Sequence, residues 1–201
     1  MRRARRLNAG TVLVPGGYAA TIRERARPTT GGPRAYHARV ELHLVRHADA
    51  EPQREALDDA DRALTEKGHA QARSLAKALG ALDIRYACLL TSPKRRARET
   101  AASLAGRADR TELEPLLAEP PSEALLARLS TLVASGTGPL GLVGHEPYLG
   151  GLTALLLGLP GQGERFAFKK GGLYLVSWPG AGKPEPAELR LALTPEVLAR
   201  L

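Results

Sequence analysis

The arrangement of hydrophobic and polar positions predicts alternating strands and helices over residues 40–201. Short apolar runs, such as residues 42–45 and 140–143, are typical of buried strands. Between such runs, apolar side chains recur at helical spacing, as Leu75, Ala76 and Leu79 do. The predicted strands cover residues 40–46, 83–91, 111–113, 140–143, 164–168, 173–178 and 188–193.

Capping residues mark the ends of the predicted helices. Thr65 and Ser122 are each predicted to cap a helix start, Pro93 to occupy a first turn, and Gly80 to end a helix. The polar and acidic residues 49–63 are predicted to form a loop. The predicted helices cover residues 65–80, 93–106, 122–134, 148–158 and 195–201.

The order of these elements predicts the class of fold. Strand and helix alternate through most of the chain, which indicates a mainly parallel α/β sheet covered by helices on both faces. The later strands lie closer together in sequence and are predicted to pair antiparallel, with residues 164–168 and 173–178 joined across residues 169–172. Residues 188–193 are predicted to form an edge strand.

The net charge of +8 belongs to one end of the chain. Of 29 basic and 21 acidic residues, nine arginines and Glu24 lie within residues 1–40, so the remainder is neutral overall. A basic segment can contact nucleic acid or a membrane surface, but the neutral remainder argues against a nucleic-acid partner. The absence of a long apolar stretch predicts a cytoplasmic protein without a membrane partner. The single Cys88 excludes an internal disulfide and a cysteine-rich metal site.

Composition also divides the chain into two parts. Residues 1–39 are rich in Arg, Gly, Pro and Thr and are predicted to form a disordered or loosely attached extension. Residues 40–201 are predicted to form the folded domain. Val40 stands where a compact domain would begin, which suggests the hypothesis that natural translation starts there. Mass spectrometry of the natural protein would contradict this hypothesis if the terminus lay near Met1.

Residues suited to phosphate chemistry follow several predicted strands. They are Arg46-His47, Ser92-Pro93-Lys94-Arg95-Arg96-Ala97, Gly144-His145 and Lys169-Lys170-Gly171-Gly172. Open α/β sheets bind ligands at the carboxyl ends of their strands. Arginine holds two phosphoryl oxygens at once, and a neutral imidazole can attack phosphorus. We therefore interpret His47 as a nucleophile with Arg46 as its phosphate-binding neighbour, against the alternative of a strand ending in two solvated polar residues.

Several longer motifs resemble those of the histidine phosphatase superfamily, also called phosphoglycerate mutase-like, and most closely its short SixA-type phosphohistidine phosphatases. The motifs, which span about residues 41–178 in the family's order, are Leu44-Val45-Arg46-His47-Ala48-Asp49-Ala50, Leu64-Thr65-Glu66-Lys67-Gly68-His69-Ala70-Gln71-Ala72, Ser92-Pro93-Lys94-Arg95-Arg96-Ala97-Arg98-Glu99-Thr100-Ala101, Val143-Gly144-His145-Glu146-Pro147 and Lys170-Gly171-Gly172.

The resemblance implies a three-layer α/β/α sandwich and a specific set of catalytic residues. His47 would be the phosphorylated residue, while Arg46, Arg96 and His145 would hold the phosphoryl group. Arg96 matches the family's second arginine better than Arg95 does. Two positions depart from the family pattern, because Ala48 replaces a glycine and Glu99 replaces a glutamine. No residue clearly matches the mutases' general acid, for which the candidates are Asp49, Glu112, Glu114, Glu119 and Glu146.

The predicted function is a phosphatase with a covalent phosphohistidine intermediate, acting on phosphohistidine in a protein. A phosphatase for small phosphomonoesters is the first alternative, and a non-catalytic phosphate- or nucleic-acid-binding module is the second. No cofactor is expected. A metal site from His47, His145 and a carboxylate is disfavoured because two arginines would oppose a cation. Among the remaining basic residues, His43 and His69 are predicted to be structural or solvated, and Lys94, Arg95 and Arg98 to form a solvated helix face.

Overall fold

The computed structural model describes residues 12–13, 19–20, 39–55, 58–183 and 185–201. Two compact units divide the chain, Met1–Tyr36 and His37–Leu201. In the first unit, strands β1 (Val12–Leu13) and β2 (Ala19–Ala20) pair antiparallel. The predicted disorder of residues 1–39 otherwise falls outside the described residues.

The second unit is built on a six-stranded mixed sheet with the order β5-β4-β6-β3-β7-β8. Strands β5, β4, β6 and β3 run parallel, while β7 is antiparallel to both β3 and β8. The mainly parallel sheet with later antiparallel strands is therefore confirmed. The strands are β3 (Val40–Arg46), β4 (Cys88–Thr91), β5 (Thr111–Leu113), β6 (Leu140–Gly144), β7 (Leu173–Trp178) and β8 (Glu188–Leu193).

Helices cover both faces of this sheet and enclose two main hydrophobic cores. The helices are α1 (Glu66–Ala81), α2 (Arg95–Leu104), α3 (Glu123–Ala134), α4 (Tyr148–Leu156) and α5 (Pro195–Leu198). Side chains of α1, α2 and α5 pack in one core, and those of α3 and α4 pack in the other. This arrangement confirms the three-layer α/β/α sandwich.

Two predicted caps form as expected. The side chain of Thr65 accepts a hydrogen bond from the backbone N–H of Gly68 at 3.0 Å, and Ser122 accepts one from Leu125 at 3.3 Å. Each bond satisfies one of the backbone donors that a helix start leaves unpaired. Gly68 is also required by packing, because a Cβ there would overlap the backbone carbonyl of Asp49. These contacts place the start of α1 against the segment that follows β3.

Three predicted elements need correction. The strand predicted at residues 164–168 is instead a 3₁₀ turn, Gly163–Phe166, because β7 already pairs with β3 and β8 and offers no free edge. The strand predicted at residues 83–91 is shortened to β4, because Asp83 adopts a turn conformation with φ of 52°. Helix α2 begins at Arg95, two residues after Pro93, with Lys94 as its N-cap.

The chain path brings three strand ends together. Strand β6 lies between β3 and β4, although it follows both in sequence. Helices α1 and α2, which follow β3 and β4, cover one face of the sheet, whereas α4, which follows β6, covers the other, so the connections leaving these neighbouring strands reverse from one face to the other. Ligands of open α/β sheets bind at such reversals. The carboxyl ends of β3, β4 and β6 are therefore the expected place for a site.

Candidate active site

Backbone hydrogen bonds continue one residue past the strands and hold the three strand ends in line. The N–H of His47 donates to the carbonyl of Gly144 at 3.0 Å, and that of Ser92 donates to Val143 at 3.0 Å. On the other side, Gly171 donates to the carbonyl of His47 at 3.1 Å. Gly171 does so with φ of 75°, in the left-handed region that suits glycine. The predicted neighbours at this edge of the sheet are thus fixed by main-chain contacts.

The imidazole of His47 is buried and oriented by two hydrogen bonds. Its Nδ1 lies 2.7 Å from the carbonyl oxygen of Ala48, and its Nε2 lies 3.2 Å from Nε of Arg96. A carbonyl can only accept and an arginine can only donate, so these partners assign the proton to Nδ1 and a lone pair to Nε2. The ring is therefore neutral, with its nucleophilic nitrogen facing Arg96.

Arg96 lies in the first turn of α2 and is almost fully buried, with 4% of its surface exposed. Besides the contact with His47, its Nη1 donates to the carbonyl of Asp59 and its Nη2 donates to the Asp59 carboxylate at 3.0 Å. Arg95 instead forms an exposed pair with Glu99 at 2.7 Å. Of the two neighbouring arginines, Arg96 is therefore the one that faces His47.

His145 follows β6 and packs beside His47, with ring centroids 5.0 Å apart. Its Nε2 lies 2.7 Å from Oγ of Ser92, which accepts a hydrogen bond from the backbone N–H of Lys94 at 3.3 Å. Ser92 keeps a proton that can be donated to Nε2, and we assign it this role, which leaves the single proton of the neutral His145 ring on Nδ1. This Nδ1 is buried and has no hydrogen-bond partner among the described residues. It can donate to a bound oxyanion.

Arg46 ends β3 and occupies a different flank of the site. Its Nη1 donates to the carbonyl of Phe168 at 2.6 Å, while its buried Nε has no partner among the described residues. The side chain lines a cavity of about 490 Å³ together with Glu146, Phe168 and neighbouring residues. Burial lowers the pKa of Arg46 and the Glu146 carboxylate raises it, but a guanidinium stays charged at any physiological pH. Arg46 contributes positive charge to the site without a hydrogen bond to His47.

The electrostatic environment keeps both histidines neutral. Burial lowers the pKa of His47 to about 4, aided by the charges of Arg96, Arg46 and Lys170 and opposed by the hydrogen bond to Ala48. Burial also lowers the pKa of His145 to about 3, and His47 and Arg96 lower it further. Near neutral pH, the site therefore combines two uncharged imidazoles with two guanidinium cations. This combination suits a dianionic phosphoryl group.

Four of the five candidate general acids are engaged elsewhere. Asp49 accepts hydrogen bonds from Lys170 at 2.6 Å and Thr65 at 2.9 Å, and the Lys170 hydrogen bond lowers the pKa of its carboxyl. Glu146 accepts from the backbone N–H groups of Phe168 at 2.6 Å and Gly150 at 3.4 Å.

The other three candidates lie near one another in sequence. Glu112 pairs with Arg110 at 2.7 Å and Arg128 at 2.6 Å, Glu114 lies 3.4 Å from Arg128, and Glu119 is exposed. Within the described part of the chain, none of the five accepts a hydrogen bond from the four predicted site side chains.

The structure adds three residues to the four predicted site residues. Asp59 binds Arg96, Ser92 binds His145, and Thr100 accepts a hydrogen bond from the N–H of Ala48 at 3.1 Å. Ser92 and Thr100 belong to the same sequence motif as Arg96, and this proximity in sequence could have been used to predict that they lie at the site. Asp59 carries no comparable signal, because it is one of several acids in a polar loop.

Other basic residues divide between the site and the surface. Lys94 was predicted to be solvated on a helix face, but it is half-buried and pairs with Asp59 at 2.8 Å. Arg98 is exposed as predicted, and so is His69 on α1. His43 is buried with its ring edge against Tyr86, at 5.2 Å between centroids. Within the described residues, no group of three or more His, Cys, Asp or Glu side chains is arranged to hold a metal ion.

A sequence model of the histidine phosphatase superfamily (branch 1) matches residues 42–120, which include Arg46, His47 and Arg96. The chain is also 36% identical over 118 residues to an uncharacterized protein of Picosynechococcus sp., covering 55% of this chain and 69% of that protein. This chain belongs to the histidine phosphatase superfamily. His145 lies beyond the matched residues, and the fold brings it to them.

Solved structures show the same fold. The histidine phosphatase chain superposes on a candidate phosphohistidine phosphatase SixA from Agrobacterium tumefaciens with a TM-score of 0.65 and 22% identity, covering 77% of this chain and 98% of that one. The protein histidine phosphatase SixA complexed with tungstate superposes with a TM-score of 0.64 and 22% identity, covering 77% of this chain and 97% of that one. A mycobacterial glucosyl-3-phosphoglycerate phosphatase superposes with a TM-score of 0.63 and 20% identity, covering 78% of this chain and 99% of that one.

Family membership supports a phosphatase activity for this enzyme. The substrate is left open, since the similar structures include both a protein histidine phosphatase and a phosphatase named for a small metabolite. The individual roles of Arg46, His47, Arg96 and His145 stay predictions. No described helix of this histidine phosphatase is both long enough and apolar enough to cross a bilayer.

Proposed function

We propose that this histidine phosphatase hydrolyses phosphohistidine on a protein through a phosphorylated His47. The observation that carries the proposal is the hydrogen bond between His47 Nδ1 and the Ala48 carbonyl, which leaves the Nε2 lone pair facing Arg96. A neutral imidazole, whose unprotonated nitrogen carries a lone pair, is the form that attacks phosphorus. Because the pKa of His47 is lowered to about 4, this form predominates at neutral pH.

The proposed reaction has two transfers. First, Nε2 of His47 forms a bond to phosphorus while the bond from phosphorus to the substrate's imidazole nitrogen breaks, and the leaving imidazole retains the bonding electrons. Second, water attacks phosphorus, the bond from phosphorus to Nε2 breaks, and inorganic phosphate leaves with the oxygen of that water. Arg46, Arg96 and the Nδ1–H of His145 stabilise the charge on the equatorial oxygens in both transfers.

The surroundings of His47 favour a phosphoramidate substrate. A phosphoramidate nitrogen can be protonated before cleavage, so it needs a weaker acid than an alkoxide leaving group does. This requirement suits a site in which, among the described residues, four of the five candidate carboxylates are bound elsewhere and Glu119 is exposed. We propose that the substrate is a phosphorylated protein and that enzyme and substrate meet in the cytoplasm.

The connection between Arg96 and His145 also favours a protein substrate. After α2, this fully described stretch contains only short 3₁₀ turns, the three-residue β5, α3 and β6. None of these elements forms a separate covering domain over the strand ends. A site without a separate covering domain accepts a side chain presented by another protein more readily than it encloses a small metabolite.

A small phosphomonoester is the second candidate substrate. The cavity beside Arg46, at about 490 Å³, lies within the size range of pockets that hold small ligands. The mycobacterial phosphatase that shares this fold is named for a phosphorylated sugar acid. Turnover of a histidine-phosphorylated protein and of sugar phosphates, compared as kcat/KM, separates the two candidates, and a strong preference for the esters would reverse their order.

Trapping the intermediate tests the mechanism. We expect a rapid quench after mixing with a radiolabelled phosphohistidine protein to leave label on His47, identified by mass spectrometry. His47→Ala should show no label and no turnover. His69→Ala is the matched control, because His69 is exposed on α1, and it should be labelled like the unmodified enzyme. Label on another residue, or unchanged turnover by His47→Ala, would refute the proposed nucleophile.

A further inference from the structure

The carboxylate of Asp59 is the meeting point of three cations. Its Oδ2 accepts hydrogen bonds from Arg96 at 3.0 Å and from Lys94 at 2.8 Å, and its Oδ1 accepts one from Arg62 at 2.7 Å. Burial alone would raise the pKa of Asp59, but these three partners hold it well below its usual range. Asp59 is therefore a permanent anion at neutral pH and cannot serve as the general acid.

The contacts of Asp59 divide the guanidinium of Arg96 into two edges. The outer edge, formed by Nη1 and Nη2, is bound by the carbonyl and the carboxylate of Asp59. The inner edge, formed by Nε and Nη2, faces His47, to whose Nε2 the Nε donates. Each Nη carries two N–H groups, so Nη2 can serve both edges. The inner edge is the one from which a phosphoryl group at His47 could be held.

We propose that Asp59 is a positioning residue, which turns the inner edge of Arg96 toward the transferring phosphoryl group and in doing so weakens the binding of oxyanions. This inference rests on the proposed function, because it assumes phosphoryl transfer at His47.

Orientation and charge then act in opposite directions. Because Asp59 fixes the outer edge of Arg96, no side-chain entropy is lost in orienting this guanidinium during the reaction, and kcat is higher. The negative charge of Asp59 also repels an incoming phosphate dianion and partly neutralises Arg62, Lys94 and Arg96, which lowers affinity for the free anion. Substitution of a residue with this double role should lower kcat and at the same time raise the affinity for free phosphate.

Asp59→Asn tests the proposal with little change in shape. We expect kcat on a phosphohistidine protein to fall by up to about a hundredfold, the loss that a misplacement of about 1 Å can cause. We expect the inhibition constant of inorganic phosphate to fall several-fold, because the competing charge is removed. Asp59→Glu keeps the charge and should recover part of kcat. Asp61→Asn is the matched control, since Asp61 is an exposed acid in the same turn, and it should change neither quantity.

The outcomes separate this proposal from a structural role and from the proposed function. An unchanged kcat in Asp59→Asn, or weaker phosphate binding together with a lower melting temperature, would overturn it. If the unmodified enzyme shows no label on His47, the proposed function fails instead. Calorimetric titration with phosphate alone then still tests the effect of Asp59 on anion affinity, where tighter binding by Asp59→Asn supports the role and equal binding refutes it.

Discussion

The hydroxyl of Thr100 is a single buried atom that joins the two halves of the active site. It accepts a hydrogen bond from the N–H of Ala48 at 3.1 Å and donates to the carbonyl of Arg96 at 2.7 Å. Ala48 in turn accepts the hydrogen bond that orients His47. Thr100 and Ala48 are both fully buried, so no water can replace a lost partner without rearrangement. Thr100→Val, which keeps the shape and removes the hydroxyl, should therefore affect stability and activity together.

The magnitude follows from the group that the substitution leaves unpaired. The Arg96 carbonyl keeps its place inside α2, but the N–H of Ala48 loses its partner in a buried position. An unsatisfied buried donor costs about 1–3 kcal/mol, and no cavity is created by an isosteric change. With a urea dependence of roughly 2 kcal/mol per molar, a loss of 2 kcal/mol shifts the unfolding midpoint by about 1 M. For a chain of this size, the melting temperature should fall by roughly 4–8 °C.

Urea unfolding followed by circular dichroism measures the stability change, and steady-state turnover measures the effect on His47. Thr153→Val is the matched control, because Thr153 is equally buried and donates to Leu149 at 2.8 Å within its own helix. It should shift the midpoint far less, since no donor from another element depends on it. A Thr100→Val midpoint within about 0.25 M of the unmodified protein would refute the reasoning.

Two further predictions concern the histidines. Ser92→Ala removes the hydroxyl that donates to Nε2 of His145, so kcat should fall about tenfold, the factor that a hydrogen bond worth about 1.4 kcal/mol represents. The pKa values of His47 and His145 are lowered to about 4 and 3, whereas a histidine in the unfolded chain has a pKa of about 6.5. Between pH 6.5 and 5, both histidines therefore become protonated in the unfolded chain but stay neutral in the folded one. The free energy of unfolding should therefore decrease on acidification in this window, by up to about 1.4 kcal/mol per pH unit for each histidine.

Controls for these predictions come from the same molecule. Ser130→Ala removes a hydroxyl that bonds to Leu126 and Ala181 and to none of the site residues, so its kcat should be unchanged. Equal activity of Ser92→Ala would contradict the assigned role of Ser92. Urea midpoints measured at pH 6.5 and pH 5 check the pH dependence. His69→Ala, which removes an exposed histidine, is the control variant for this measurement. A midpoint that does not move between the two pH values would show that the histidines are not held neutral.

Local sequence determined most of the elements and the chemistry that they carry. The caps at Thr65 and Ser122 form as predicted, because a capping bond depends on residues three positions apart. The positions of Arg46, His47 and His145 at strand ends could also be predicted, because apolar runs mark buried strands wherever they pair. The one incorrect strand, at residues 164–168, failed because pairing needs a free sheet edge, which no local pattern reports.

Tertiary structure alone decided how these residues meet. The insertion of β6 between β3 and β4 sets His145 beside His47, and the ion pair of Asp59 with Arg96 joins residues 37 positions apart. Periodicity records which face of an element is buried, but it does not record which distant side chain completes a charge or a hydrogen bond. Electrostatic contacts depend on separation in space, so the protonation of both imidazoles and the orientation of Arg96 follow from the path of the chain.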